Sequence, residues 1–347
     1  MGKQERNIGF DCLRAVACLS IILLHTLYFT RLMYMPLMTF WRATWIQMGL
    51  NNLMWAVPCF LMVTGALLLG PEKEIGYKAL FSKYIARVLK AIVVFGLLFV
   101  ALEVIFNPEQ RTTAHVLEGA YEIFTDGGWA HMWYLYCLLG LYLLLPAYKK
   151  IAALSDERDI RYLLIVYALF QSLLPMLGMA NIQSGFYIHV SSIYPFWLFF
   201  GYYLRRWGME KSRGFYGCLF AVSTVLLTAL TYVRMKWDLA VLDAFFTYSS
   251  ILVISQAAGI AGWFFRCGQE GFVPVKKCLA NIDRHSFGIY LIHMAWLRLI
   301  FKHLHFIPFK WGLGGAPGIL AVVLAAFVLS YITDMIMKKL PLFKSIV

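Results

Sequence analysis

The sequence predicts an all-α fold, a polytopic membrane helix bundle of about ten transmembrane helices with both termini cytoplasmic. Three observations predict it. Apolar residues make up 61% of the 347 residues and charged ones only 14%, well outside the composition of soluble domains. Apolar runs recur at about the 20-residue length that crosses a hydrocarbon core. Lys and Arg cluster in alternate connections, the positive-inside pattern of membrane proteins.

The spans follow in order. The first, 10–30, holds Arg14 and His25 and lacks a small-residue cleavage site after it, so it does not read as a cleaved signal peptide. The second, 47–69, contains Pro58, Thr64 and Gly65, and the third, 81–106, is entered through Lys83, Arg87 and Lys90. The connection 107–130 reads as an acidic loop, with Glu109, Glu118, Glu122 and Asp126. An aromatic group opens the fourth span, 131–148. Spans 161–178, 190–206, 215–234 and 244–265 follow, then a ninth, 284–302, with Ser286, Tyr290 and His293, and a tenth, 315–338. Lys149, Arg158, Arg205, Arg213, Arg266 and Lys338 lie in the basic set of loops, and the 107–130 loop lies opposite. The net charge of +13 is met by this bias and by anionic lipid headgroups, so nucleic acid is not an expected partner. The longest hydrophilic loops run to about twenty residues, and one domain over 1–347 is expected. Seven cysteines show no paired or metal-like spacing, and neither a disulfide framework nor a metal site is expected.

Ionisable groups at membrane depth are costly and mark function by default. Arg14 and His25 are eleven residues apart, close to three full turns, so they share a face about 16 Å apart along the axis. Asp11 and Cys18 lie on the same stripe. Two plainer readings stand beside this one. Arg14 lies near a helix end and can snorkel to headgroups, and His25 can be satisfied by a hydrogen bond to another helix.

FDCLRAVACLSIILLH, residues 10–25, resembles the first helix of acyltransferase family 3, integral-membrane enzymes that move acyl groups onto sugars and other acceptors. Arg14 and His25 match that family's Arg-x10-His signature. VPCFLMVTGALL (57–68) resembles its second-helix motif, with Thr64 for the usual Ser and Leu61 for one aromatic. KYIARVLK (83–90), HMWYLYCLLGLYLLLP (131–146) and RHSFGIYLIH (284–293) resemble the family's later motifs, in the family's order.

The resemblance implies an acyl-coenzyme A donor, acetyl-CoA by default, a glycan or lipid-linked sugar acceptor, and a place in the bacterial inner membrane. Arg14, Lys83, Arg87 and Lys90 are then expected to hold the donor's phosphates, since Arg and Lys are phosphate binders. Gly65 is expected to leave room for the pantetheine arm. His25 is expected to serve as general base, its ordinary pKa of about 6.5 suiting that task. Trp129, His131, Trp133, Tyr134, Tyr290 and His293 are expected to meet the acceptor, with no metal involved. Each group keeps an alternative: topology for the cations, close helix packing for Gly65, the interfacial aromatic belt for the tryptophans, and polar helix contacts for Tyr290 and His293. A small-solute transporter using His25 as a proton relay is the competing class. It has no use for the basic face at 83–90.

Overall fold

The structure, a computed structural model, describes residues 8–107, 111–125, 129–179, 192–269, 276–312 and 315–347. Among them are helices, turns and no strand. Helix α1, Ile8–Tyr34, has 27 residues, about 40 Å of helix at 1.5 Å per residue, enough to cross a bilayer core. The expected second span is broken into α2, Phe40–Asn52, and α3, Ala56–Leu68. Pro58 explains the break. Its ring would clash with the carbonyl four residues back, at Met54, and the chain turns through Leu53–Trp55 instead.

A wide π-type turn, Leu80–Ile85, leads into α4, Ala86–Phe106. What the sequence presents as an acidic loop is largely a helix, α5, Thr113–Thr125, and Glu109 and Asp126 lie outside the described residues. It folds back onto α4, buries Ile123, and leaves Leu117, Tyr121 and Phe124 exposed. Alternation of apolar and acidic residues made α5 look like a loop. Next come α6, Trp133–Leu154 with Pro146 inside it, and α7, Glu157–Ala168, which opens on an Asp156–Asp159 capping box. Beyond it lie α8, Tyr194–Arg206, α9, Arg213–Trp237, and α10, Ile251–Gln269. The last are α11, Lys276–Arg298, α12, Ala316–Met337, and the short α13, Pro341–Lys344.

Among the described residues, eight helical segments are long and apolar enough to cross a membrane. The expected spans 190–206 and 284–302 are not among them. In the described residues the former is only the 13-residue α8. The latter belongs to α11, which carries Asp283, Arg284 and His285. Both are inner helices, and their polarity and length answer to protein neighbours, not to lipid.

At the centre is α1, which packs against α2, α3, α10, α11 and α12. Elsewhere α3 and α8 approach closely. A Cβ on Gly65 would stand 1.9 Å from the Leu198 carbonyl oxygen, and one on Gly201 1.9 Å from that of Met62. Small residues are the usual means of bringing membrane helices this close. Side-chain hydrogen bonds join α2, α9 and α10: Asn51 to Thr231 at 2.9 Å, Asn52 to Thr228 at 2.9 Å, and Gln256 to Thr224 at 2.8 Å.

Candidate active site

Helices α1 and α11 run parallel, and three polar contacts join them in constant register. Arg14 donates from Nε to Asp283 Oδ1 at 2.6 Å and from Nη2 to Oδ2 at 2.9 Å, a bidentate pair. One turn on, Cys18 Sγ meets Ser286 O at 3.8 Å. Two turns further, His25 Nδ1 lies 2.9 Å from His293 Nε2. The sequence offset is 269, 268 and 268 in turn. The stripe carrying Arg14 and His25 is therefore covered by α11. Arg14 also donates to Asp11 Oδ1 at 3.2 Å, so two carboxylates answer one guanidinium. Charges at this depth persist where partners neutralise them. Arg14, expected to hold a donor phosphate, has its guanidinium engaged by Asp283 and Asp11.

The open space lies beside the stripe. A cavity of about 560 Å³ is lined by Arg14, Lys83, Arg87, Arg284, Tyr134 and Tyr290 among others. Lys83 and Arg284 are exposed, whereas Tyr290 is buried, so the cations mark the mouth and the tyrosines the depth. From Tyr290 a run of rings continues inward. Tyr290 and His131 lie 5.7 Å apart between centroids, His131 and His293 5.5 Å, and His293 and His25 5.0 Å.

The hydrogen bonds of these rings determine their tautomers. A carbonyl oxygen only accepts. His293 Nδ1 lies 2.7 Å from Tyr290 O, so it carries the proton, and His293 Nε2 is an acceptor. His25 Nδ1 must then donate to it, which leaves the lone pair of His25 on Nε2. His131 Nε2 lies 3.2 Å from Leu291 O and donates to it, which leaves Nδ1 with a lone pair. That atom is buried and unpartnered. His293 is fully buried, while His25 keeps part of its surface accessible. The arrangement is one imidazole held by a second, itself held by the backbone, the same orienting logic that hydrolytic triads use.

At the opposite end from the cations, Trp129 stacks on Phe99 at 4.2 Å, and its Nε1 donates to Glu103 at 2.9 Å. The Arg298 guanidinium lies 4.9 Å from the Trp129 ring centroid and pairs with Glu103.

A family model described as an acyltransferase domain matches residues 7–335. The chain belongs to acyltransferase family 3. Comparison with curated proteins and with solved structures finds no match.

In this multi-pass membrane acyltransferase the expected site residues divide. Arg14, Lys83, Arg87, Tyr134 and Tyr290 line one cavity, and His25, His131 and His293 cluster beyond its inner end. Arg87 is partly engaged, its Nε donating to Ile346 O at 2.6 Å. Lys90 is not in the lining; its Nζ reaches Ser345 Oγ at 3.4 Å, on the C-terminal segment. Gly65 is also outside the cavity, because α8 fills the space beside it, and this corrects the room assigned to a pantetheine arm. Trp129 is enclosed between Phe99 and Arg298, so its faces do not offer a stacking platform for a sugar. Trp133 packs on Tyr194 and Tyr248, with centroids 5.5 and 5.8 Å away.

Sequence reasoning missed Asp283 and Arg284. A signal for Asp283 existed. It precedes Ser286, Tyr290 and His293 by three, seven and ten residues, a helical face, and an arginine within a membrane span needs a carboxylate partner.

Proposed function

We propose that this acyltransferase moves an acetyl group from acetyl-coenzyme A, entering at the basic cytoplasmic end, to a hydroxyl of a cell-envelope glycan or lipid-linked sugar in the bacterial inner membrane. Acetyl and glycan are chosen because the motif pattern is most like that of the O-acetyltransferase associated with enterobacterial common antigen. The observation that carries the reading is the 560 Å³ cavity, with cations at its mouth and tyrosines leading toward three histidines. A solute pathway has no use for that sequence of groups, whereas a phosphate-bearing donor with a slender reactive arm does.

Lys83, Arg87 and Arg284 receive the phosphates through charge-assisted hydrogen bonds. The thioester passes Tyr134 and Tyr290. His25 Nε2 takes the proton of the acceptor hydroxyl as its oxygen attacks the thioester carbonyl. The carbon–sulfur bond then breaks, and the thiolate takes the proton back from the His25 imidazolium, which leaves acetylated acceptor and free coenzyme A. His293 keeps Nδ1 of His25 protonated and its lone pair on Nε2. The test is transfer of radiolabelled acetyl from acetyl-coenzyme A into glycolipid of membranes from expressing cells. Label should appear with the native protein and vanish with His25→Ala. Equal label with both proteins would end the proposal.

A further inference from the structure

A second cavity, of about 200 Å³, lies on the other side of the histidine cluster. Helices α4 and α5 form most of its wall, with Trp129, Tyr136 and Arg298. Phe99 and Trp129 stand between it and His131, with ring centroids 5.4 and 6.3 Å from the imidazole. The two cavities thus approach one cluster from opposite ends, past Tyr290 on one side and past the Phe99–Trp129 stack on the other.

The polar groups of this cavity specify a ligand class. Glu103 is fully occupied: it accepts from Trp129, from Asn107 and from both terminal nitrogens of Arg298, which accounts for about four lone pairs. Arg298 therefore arrives with its charge neutralised and N–H groups to spare, since a guanidinium has five donors. Such a group hydrogen-bonds neutral oxygens without requiring an anion. Exposed Glu122 and partly exposed His115 add acceptors at the rim, and Phe99 and Tyr136 add aromatic wall. An apolar wall with a few convergent donors and acceptors suits a small polar ring. Behind the stack, the buried Nδ1 of His131 lacks a donor, and buried polar atoms are ordinarily paired. A hydroxyl would satisfy it.

We propose that this cavity binds the acceptor as a neutral pyranose and directs one of its hydroxyls past the Phe99–Trp129 stack toward His131 and His25. The assignment as acceptor rests on the acyl-transfer reading above; the sugar binding itself does not.

The test uses the full-length protein in nanodiscs and photoreactive glucosides carrying a diazirine. An octyl and a methyl aglycone distinguish lipid-linked from soluble acceptors, and the matching glucuronides test charge. Crosslinks of a glucoside should map to the lining residues, which fall within 96–103, 115–123 and 129–136 and at Arg298. Val100→Phe, which fills the cavity without touching the ion pair, should cut that labelling about tenfold. Coenzyme A affinity, read by calorimetry, should stay within about twofold. A Glu103→Gln, Arg298→Gln double variant, which keeps an uncharged pair, should cut labelling likewise. Labelling elsewhere, no labelling, labelling unchanged in both variants, or preference for the glucuronides would overturn the proposal. Failure of coenzyme A to bind the native protein would count against acyl transfer and leave the sugar site standing.

Discussion

Replacing His293 tests the hydrogen-bond chain on which the assignment of the base depends. In His293→Leu the Nδ1–H of His25 loses its acceptor, 2.9 Å away in the native protein. A net hydrogen bond is worth about 0.5–1.5 kcal/mol, and a buried donor left unpaired costs about 1–3 kcal/mol. At about 1.4 kcal/mol per factor of ten, the rate should fall roughly 10- to 100-fold. His25→Ala removes the base itself and should cost about 10²–10⁴-fold. The order of the two losses is therefore predicted, as well as their size. His293→Gln sharpens the test. Its amide oxygen lies the same number of bonds from Cα as Nε2 of histidine, so it can accept from His25, and it should recover to within about threefold of native on the same hydrogen-bond scale. The double variant His25→Ala, His293→Leu should be no slower than His25→Ala, because residues acting as one unit are not additive. Initial rates of coenzyme-A-dependent acetyl transfer, normalised to folded protein, give all four values. If His293→Leu costs more than His25→Ala, then His293 is the base and the tautomer chain has been read in the wrong direction.

Lys83→Ala and Arg284→Ala should each weaken coenzyme A binding by about 10- to 150-fold, the worth of a charge-assisted hydrogen bond, whereas Lys90→Ala should leave it unchanged in calorimetric titration. Arg14→Ala should lower stability in detergent by about 1.5–3 kcal/mol, the worth of a hydrogen bond to a charged group in this part-buried pair, and adding Asp283→Asn should restore much of it. Gly201→Ala should destabilise by at least about 1–3 kcal/mol, since its Cβ would stand 1.9 Å from the Met62 carbonyl oxygen and overpacking is resisted; a shift of the unfolding midpoint reads it. In a cysteine-free background, Glu118→Cys should react with an impermeant thiol reagent from outside the cell and Arg158→Cys should not, as the Lys/Arg bias requires.

The class of fold and the shared polar face of α1 were legible in the sequence for the same reason. Apolar length and charge placement are properties of single segments, and so is the spacing that puts Arg14 and His25 on one face. What crosses between segments was not. The break at Leu53–Trp55 could be inferred from Pro58, but α5 hid behind its glutamates. Lys90 looked equivalent to Lys83 and Arg87 because one helix face was all that could be seen. The C-terminal segment that reaches Lys90 lies 255 residues away in sequence. Gly65 announced a close approach without saying to what. Either a ligand or α8 would have satisfied the same residue, and α8 does.

Arg14 shows how the partner changes the meaning of a motif. Seen alone, an arginine near the basic end of a span reads as an anion receptor. Facing Asp283 and Asp11 its guanidinium is engaged by two carboxylates, so in the proposed reading a phosphate-bearing donor is met by Lys83, Arg87 and Arg284, which line the cavity. Its contribution is then one of register. The Arg14–Asp283 and His25–His293 contacts join the same two parallel helices about 16 Å apart, with sequence offsets that differ by a single residue. A slip of α11 by one residue would move it about 1.5 Å along the axis and turn it by about 100°, and the 2.9 Å bond that orients His25 could not survive that. On this account the eleven-residue step between arginine and histidine is the length of a splint: a bidentate pair locks two helices at the basic end so that two imidazoles meet in one tautomeric state deep in the membrane.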